Sequence, residues 1–212
     1  VATFDATTAA VCFTDATDSD HGKCMRLDLA GNALVPDNPL LFSVGAKFSS
    51  SSTTSSSAGR YPLATFGAGD GVICYPDDSF AGTTDTGLGA ISSGALGACM
   101  YISPVDSARA YVESEALVRQ SKSGSIATAS YDTTNAIICF MDEGDSNKGK
   151  CAHLGTTGTT ITAQNPVQFE PGATLYLSAT TFDATNAVVC FRSASDSNKG
   201  KCVHLGLSGT TI

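Results

Sequence analysis

Eight cysteines and three histidines are the residues of this 212-residue chain best suited to chemistry, and their spacing is regular. The cysteines fall in pairs, Cys12 with Cys24, Cys74 with Cys99, Cys139 with Cys151 and Cys190 with Cys202, and three of the pairs are 12 positions apart. Such pairs serve as metal ligands, as disulfides, or as small apolar side chains. Cys151-Ala-His153 and Cys202-Val-His204 offer mixed ligands, yet Arg26 and Tyr101 stand at the equivalent places after Cys24 and Cys99. No compact Cys-x2-Cys spacing occurs, so zinc is not expected. Thiols paired this regularly predict disulfides, and with them an oxidising extracellular or cell-surface setting.

Oxygen ligands form a second group. Asp18-Ser-Asp20-His-Gly22 and Asp145-Ser-Asn147-Lys-Gly149 place them at alternate positions before a glycine, which makes Asp18, Asp20, Asp145 and Asn147 weak calcium candidates. The third alternate ligand and the distal Glu of a helix-loop-helix calcium site are missing, and the same residue types build tight turns, so turns without a cofactor are expected. Catalysis has little to stand on: there is no Gly-x-Ser-x-Gly elbow, and the histidines occupy two different repeat positions. Asp77, Asp78, Glu113 and Glu115 read as solvated loop charge, and no enzyme is expected. The run Ser49, Ser50, Ser51, Ser52, Thr53, Thr54, Ser55, Ser56, Ser57 cannot bury a core and suits O-linked sugar, whereas no Asn-x-Ser/Thr sequon occurs anywhere. Trp is absent, which leaves Tyr75, Phe80, Tyr101 and Tyr111 as the aromatic candidates for stacking on a ligand.

These residues sit in a repeat. Tyr131-Asp-Thr-Thr-Asn-Ala-Ile-Ile-Cys139-Phe140, then Asp145-Ser-Asn-Lys-Gly-Lys-Cys151-Ala-His153-Leu-Gly, returns 51 residues later as Phe182-Asp-Ala-Thr-Asn-Ala-Val-Val-Cys190-Phe191, then Asp196-Ser-Asn-Lys-Gly-Lys-Cys202-Val-His204-Leu-Gly. A looser copy opens the chain with Phe4, Cys12 and Cys24. A swollen copy keeps only its anchors, Phe66, Cys74 and Cys99. In every copy an aromatic residue (Phe4, Phe66, Tyr131 or Phe182) precedes the first cysteine by 8 places, so the insertions belong in surface loops.

Each copy reads as short strands. Ala187-Val-Val-Cys-Phe191 is an apolar run of strand length, and Cys202-Val-His-Leu205 follows a polar turn, which predicts a hairpin. A hairpin folding near Asp18, Asp145 or Asp196 sets its two cysteines opposite one another, at the roughly 4.5–5.5 Å between facing Cα atoms that a disulfide accepts. Each closure is worth about 3 kcal/mol to a unit with little core of its own. Tail segments such as Thr159 to Phe169 and lead-in segments such as Leu175 to Thr180 bring the count to about four strands per unit, the pattern of a β-propeller blade. The fold class is therefore all-β: four blades in one segment, 1–60, 61–124, 125–175 and an incomplete 176–212, one disulfide each, drawn from a larger ring or array.

The totals narrow the partners. A net charge of −8 opposes phosphate binding, so nucleic acid is not a partner. No apolar run reaches the roughly 18 residues of a membrane span, and Val1 opens inside a repeat without an initiator Met or signal peptide, so a piece of a longer processed protein is expected. The motifs aromatic-Asp-x-Thr-x-Ala, Asp-Ser-Asn-x-Gly-x-Cys and Gly-Thr-Thr-Ile together resemble the roughly 50-residue cysteine-containing propeller repeats of large secreted or surface proteins from algae and aquatic microbes. That resemblance implies fold and exterior location. The expected role is an extracellular structural or assembly protein, a building block of a fibril, surface layer or appendage. Its partners are then copies of itself or other repeats of a longer chain. The competing expectation is a lectin-like propeller that binds glycans.

Overall fold

The computed structural model describes residues 2–3, 5–15, 17–18, 21–31, 33–36, 40–43, 63–66, 70–77, 96–106, 109–158 and 160–212, with backbone alone for 2–3, 14, 21, 40–43, 66, 75–77, 96–98, 100–106 and 109–124. The described chain is built from antiparallel strands: β1 (Ala2–Thr3), β2 (Thr8–Asp15), β3 (His21–Ala30), β4 (Ala33–Pro36), β5 (Leu40–Ser43), β6 (Leu63–Phe66), β7 (Asp70–Asp77), β8 (Leu96–Asp106), β9 (Arg109–Ser130), β10 (Asn135–Asp142), β11 (Lys148–Thr157), β12 (Thr160–Ala163), β13 (Val167–Thr181), β14 (Asn186–Ser193) and β15 (Lys199–Gly206). They form two open sheets, one running β1-β2-β3-β4 with β5 also on β3, the other β15-β14-β13-β11-β10-β9-β8-β7-β6 with β12 on β11.

Within that path the repeat is visible as a structural unit. A front strand pairs with the first arm of a cysteine hairpin, and the second arm carries an outer strand in two pieces, β4 and β5 on β3, or β12 and the start of β13 on β11. The hairpin registers place Cys12 opposite Cys24, Cys74 opposite Cys99, Cys139 opposite Cys151 and Cys190 opposite Cys202. All four pairs are disulfide-bonded, with Cα atoms 4.0–4.1 Å apart, the closer of the two facing geometries in an antiparallel ladder.

One expectation changes. Tail and lead-in are not separate strands: β13 is continuous, pairing with β11 through Val167–Ala173 and with β14 through Thr174–Thr181, and β9 likewise serves β8 and then β10. The unit boundaries at 125 and 176 thus lie inside strands. Each falls on a residue with positive φ, Ser125 at 45° and Tyr176 at 55°, next to a register shift. A left-handed residue in a bulge bends a strand, which lets one strand leave a sheet plane and enter the next.

Neighbouring units pack face to face. Val72, Cys74 and Cys99 of the second unit cluster with Ala136, Ile138, Phe140, Ala152 and Leu154 of the third. The opposite face of the third unit, Tyr131, Ile137, Cys139 and Cys151, clusters with Ala187, Val189 and Leu205 of the fourth. Strand alternation sends adjacent residues to opposite faces, so the unbroken apolar run of β10 is what a strand covered on both sides requires.

Candidate functional site

In the third and fourth units the aromatic-Asp-x-Thr-Asn motif ends the front strand in a turn locked by one carboxylate. Asp132 Oδ1 accepts the backbone N–H of Thr134 at 2.7 Å and of Asn135 at 2.8 Å, and Asp183 Oδ1 accepts those of Thr185 and Asn186 at 2.8 Å each. Asp5 accepts the N–H of Thr7 in the same way. Partial burial pushes the Asp132 carboxyl up, but the donors of Thr134 and Asn135 outweigh it and hold the group below its ordinary range. Asp183 is held down chiefly by the backbone N–H of Thr185.

The Cys-x-His histidines complete this lock. The Asn135 side-chain amide donates to Asp132 Oδ2 at 2.8 Å, which leaves its carbonyl oxygen 2.8 Å from His153 Nε2. A carbonyl only accepts, so Nε2 carries the proton and Nδ1 is bare. The same relay links Asp183, Asn186 and His204. The His153 ring is almost fully buried; its Nδ1 meets no hydrogen-bond donor, and burial pulls the ring's pKa down, partly opposed by the Asp132 charge. With one nitrogen engaged and the other sealed, this imidazole ties the second hairpin arm to the turn. A sequence signal for it exists: the first unit has Thr8 and Arg26 at the Asn and His positions, and there Arg26 pairs with Asp28 at 2.8 Å instead.

The candidate calcium turns carry their own cation. Lys23 Nζ lies 2.7 Å from both Asp15 and Asp18, and Lys150 Nζ lies 2.8 Å from Asp142 and 2.5 Å from Asp145. Hydrogen bonding to Lys23 lowers Asp15 to about 2, and bonding to Lys150 and then Lys148 lowers Asp145 to about 2. Ser146 and Asn147, both at positive φ (58° and 62°), form the tight turn itself, as do Ser197 and Asn198 (52° and 62°). Among the described residues no three His, Cys, Asp or Glu side chains converge as a metal-holding group, and Asp20 lies outside those residues.

The remaining candidates are spread out. The backbones of Tyr75, Tyr101 and Tyr111 lie on three consecutive strands, β7, β8 and β9, with Tyr101 in register with Val72 and Tyr111 with Ser103. Asp77 lies on β7, and Glu113 and Glu115 on β9. Phe80, Asp78 and the run from Ser49 to Ser57 lie outside the described residues. A cavity of about 170 Å³ that the sequence did not signal opens between the third and fourth units, where His153, Gln164 and Asn165 meet Thr210 and Thr211. It forms from residues far apart in the chain.

No protein-family model matches this sequence, and no curated protein matches it. Solved structures do. The chain is similar to the NanB sialidase from Streptococcus pneumoniae in complex with 2-[(3-chlorobenzyl)ammonio]ethanesulfonate, with a TM-score of 0.57 and 11% identity over 98% of this chain and 30% of that one. A point mutant of the same sialidase gives 0.58 and 12% over 97% of this chain and 30% of that one. At such identity the likeness is one of fold alone, and this chain spans less than a third of those sialidase chains. No helix among the described residues is long and apolar enough to cross a membrane.

Proposed function

We propose that this chain is a disulfide-stapled β-propeller segment that works outside the cell as a structural or assembly element, and that it is not an enzyme. The observation that carries the reading is the interior unit, whose hairpin is covered on both faces by copies of itself. A unit that completes its core only against neighbours of its own kind suits proteins that extend by repetition. Four disulfides, one per hairpin, suit an oxidising compartment and stabilise units too small to hold a core alone. The resemblance of the repeat to those of secreted algal and microbial surface proteins points the same way. The test is immunogold labelling of the source cells: label on an extracellular layer, fibril or appendage is expected, and label confined to the cytoplasm would overturn the proposal.

A second reading, carbohydrate binding, is favoured by one observation: the small polar cavity lined by His153, Gln164, Asn165, Thr210 and Thr211. Its hydroxyls and amides are the groups that hold sugar hydroxyls. A glycan array probed with and without calcium tests it, and an array without hits in both conditions sinks it.

A further inference from the structure

One hydrogen-bond relay is built twice in this chain, and a neighbouring unit covers only one of the copies. Asp132, Asn135 and His153 in the third unit, and Asp183, Asn186 and His204 in the fourth, join through the same bonds, with each Nε2 2.8 Å from its asparagine carbonyl oxygen. His204 is exposed, whereas His153 is 2% exposed. In the β10–β11 ladder His153 stands opposite Ile137, on the face of the third unit that Ala187, Val189 and Leu205 of the fourth unit cover. What buries the His153 ring is therefore the seam between those two units.

The ring is buried in a form that suits only the neutral state. Nε2 donates to Asn135, and Nδ1 is sealed with no partner. A second proton would set a charged N–H in the closed seam with nothing to accept it, which is among the costliest of unpaired groups. Water satisfies that donor once the seam parts. The surroundings leave His153 to titrate alone between about pH 7.5 and 5. Asp132, which reaches it through Asn135, stays ionised, its carboxyl being held below the ordinary range. Tyr131, on the same face, is pushed up to about 12 by burial and stays neutral. Gln164, whose N–H donates to the His153 carbonyl at 2.9 Å, and Asn165, Thr210 and Thr211 beside it carry no charge. Ile212 borders the same cavity, and an α-carboxylate there takes up its proton well below that range.

We propose that His153 is an acid-sensitive latch: protonation of its ring parts the fourth unit from the third. The seam between the second and third units stays closed, because Tyr101 stands at the His153 position of the second unit and a tyrosine gains no charge in that range. Linkage gives the direction. Burial pulls the ring below its usual 6.5 in the closed seam, partly opposed by the Asp132 charge, and opening returns it to that value. The open form thus binds the proton first, and acid favours opening. One proton taken up between 6.5 and 5 raises the opening constant by at most about thirty-fold. The latch is independent of the role proposed above.

Hydroxyl-radical footprinting of the disulfide-intact chain across that pH range tests it. Tyr131 reports the seam between the third and fourth units, and Phe140, which is 1% exposed and packed against the second unit, reports the other. Tyr131 oxidation is expected to rise several-fold on acidification while Phe140 stays protected. The midpoint of that rise should coincide with the titration of the His153 ring followed by NMR. His153→Gln, which keeps a donor for Asn135, should hold Tyr131 protected throughout, and His204→Gln should leave the rise intact. A Tyr131 protection that ignores pH overturns the proposal. So does a rise shared by Phe140, which means general loosening, or a rise that survives in His153→Gln. Should His153→Gln fail to fold, as read by circular dichroism and the disulfide map, the wild type decides: a Tyr131 transition that does not track the His153 titration overturns the latch.

Discussion

Removing the disulfides of the third and fourth units one at a time separates the two ways in which they contribute. Cys139–Cys151 and Cys190–Cys202 have the same sequence separation, 12, and sit in hairpins of matching register. Loop closure therefore contributes equally to both, about 3 kcal/mol. Burial does not: Cys139 and Cys151 are sealed between two units, while Cys190 is half-exposed and Cys202 exposed. Replacing both cysteines of the third unit by alanine also deletes two buried sulfurs, at roughly 1 kcal/mol each when a buried methylene serves as the size guide. The Cys139→Ala/Cys151→Ala chain should therefore lose about 5 kcal/mol of hairpin stability and the Cys190→Ala/Cys202→Ala chain about 3 kcal/mol. The 2 kcal/mol between them is about thirty-fold in the opening constant. Hydrogen exchange read separately over β10–β11 and β14–β15 measures both openings, since repeat units open locally. Equal losses within about 0.5 kcal/mol, or a larger loss in the fourth unit, would refute the claim that packing between units, and not the crosslink alone, secures the interior hairpin.

Gly149 and Gly200 are repeat counterparts, but a Cβ at Gly149 would lie 2.5 Å from Phe169 Cζ and 2.8 Å from Thr174 Cγ2, while one at Gly200 meets nothing within 4 Å. Gly149→Ala should cost about 1–3 kcal/mol in urea denaturation, and Gly200→Ala should be neutral or slightly stabilising. His153 is held neutral by burial below its usual 6.5, so the unfolded chain binds the proton first and stability falls as pH drops below about that value. His153→Gln, which keeps a donor for Asn135, should remove that part of the decline in melting temperature between pH 7 and 5. The Asp15 carboxylate is lowered to about 2 from 3.8 by Lys23, so its contribution is complete above about 3.8 and is lost as pH falls toward 2. In Lys23→Met the midpoint of Asp15, followed by carboxyl carbon NMR, should rise toward 3.8, and an unchanged midpoint would show that Lys23 is not its counter-ion.

The spacing of Cys139 and Cys151 around a turn of Asp, Ser, Asn and Gly is enough to specify a hairpin and its facing thiols, because strand register is local and two residues that flank a tight turn symmetrically must meet. The Asp-x-Thr-Asn turn is legible for the same reason. The relay to His153 is less so: it spans the separation from Asn135 to the second hairpin arm, and only the joint presence of Asn and His in the last two units hints at it. Burial was out of reach altogether. Tyr131 and Phe182, or Gly149 and Gly200, occupy identical sequence settings and opposite physical ones, because a side chain is buried by whatever unit stands beside it, and that neighbour is supplied by the bends at Ser125 and Tyr176. The sequence by itself determined the cysteine hairpins, their register and their disulfides. Only the tertiary structure decided which faces are core and which remain surface, since the hydrophobic effect acts on contact between units and carries no memory of where in the chain a residue stands.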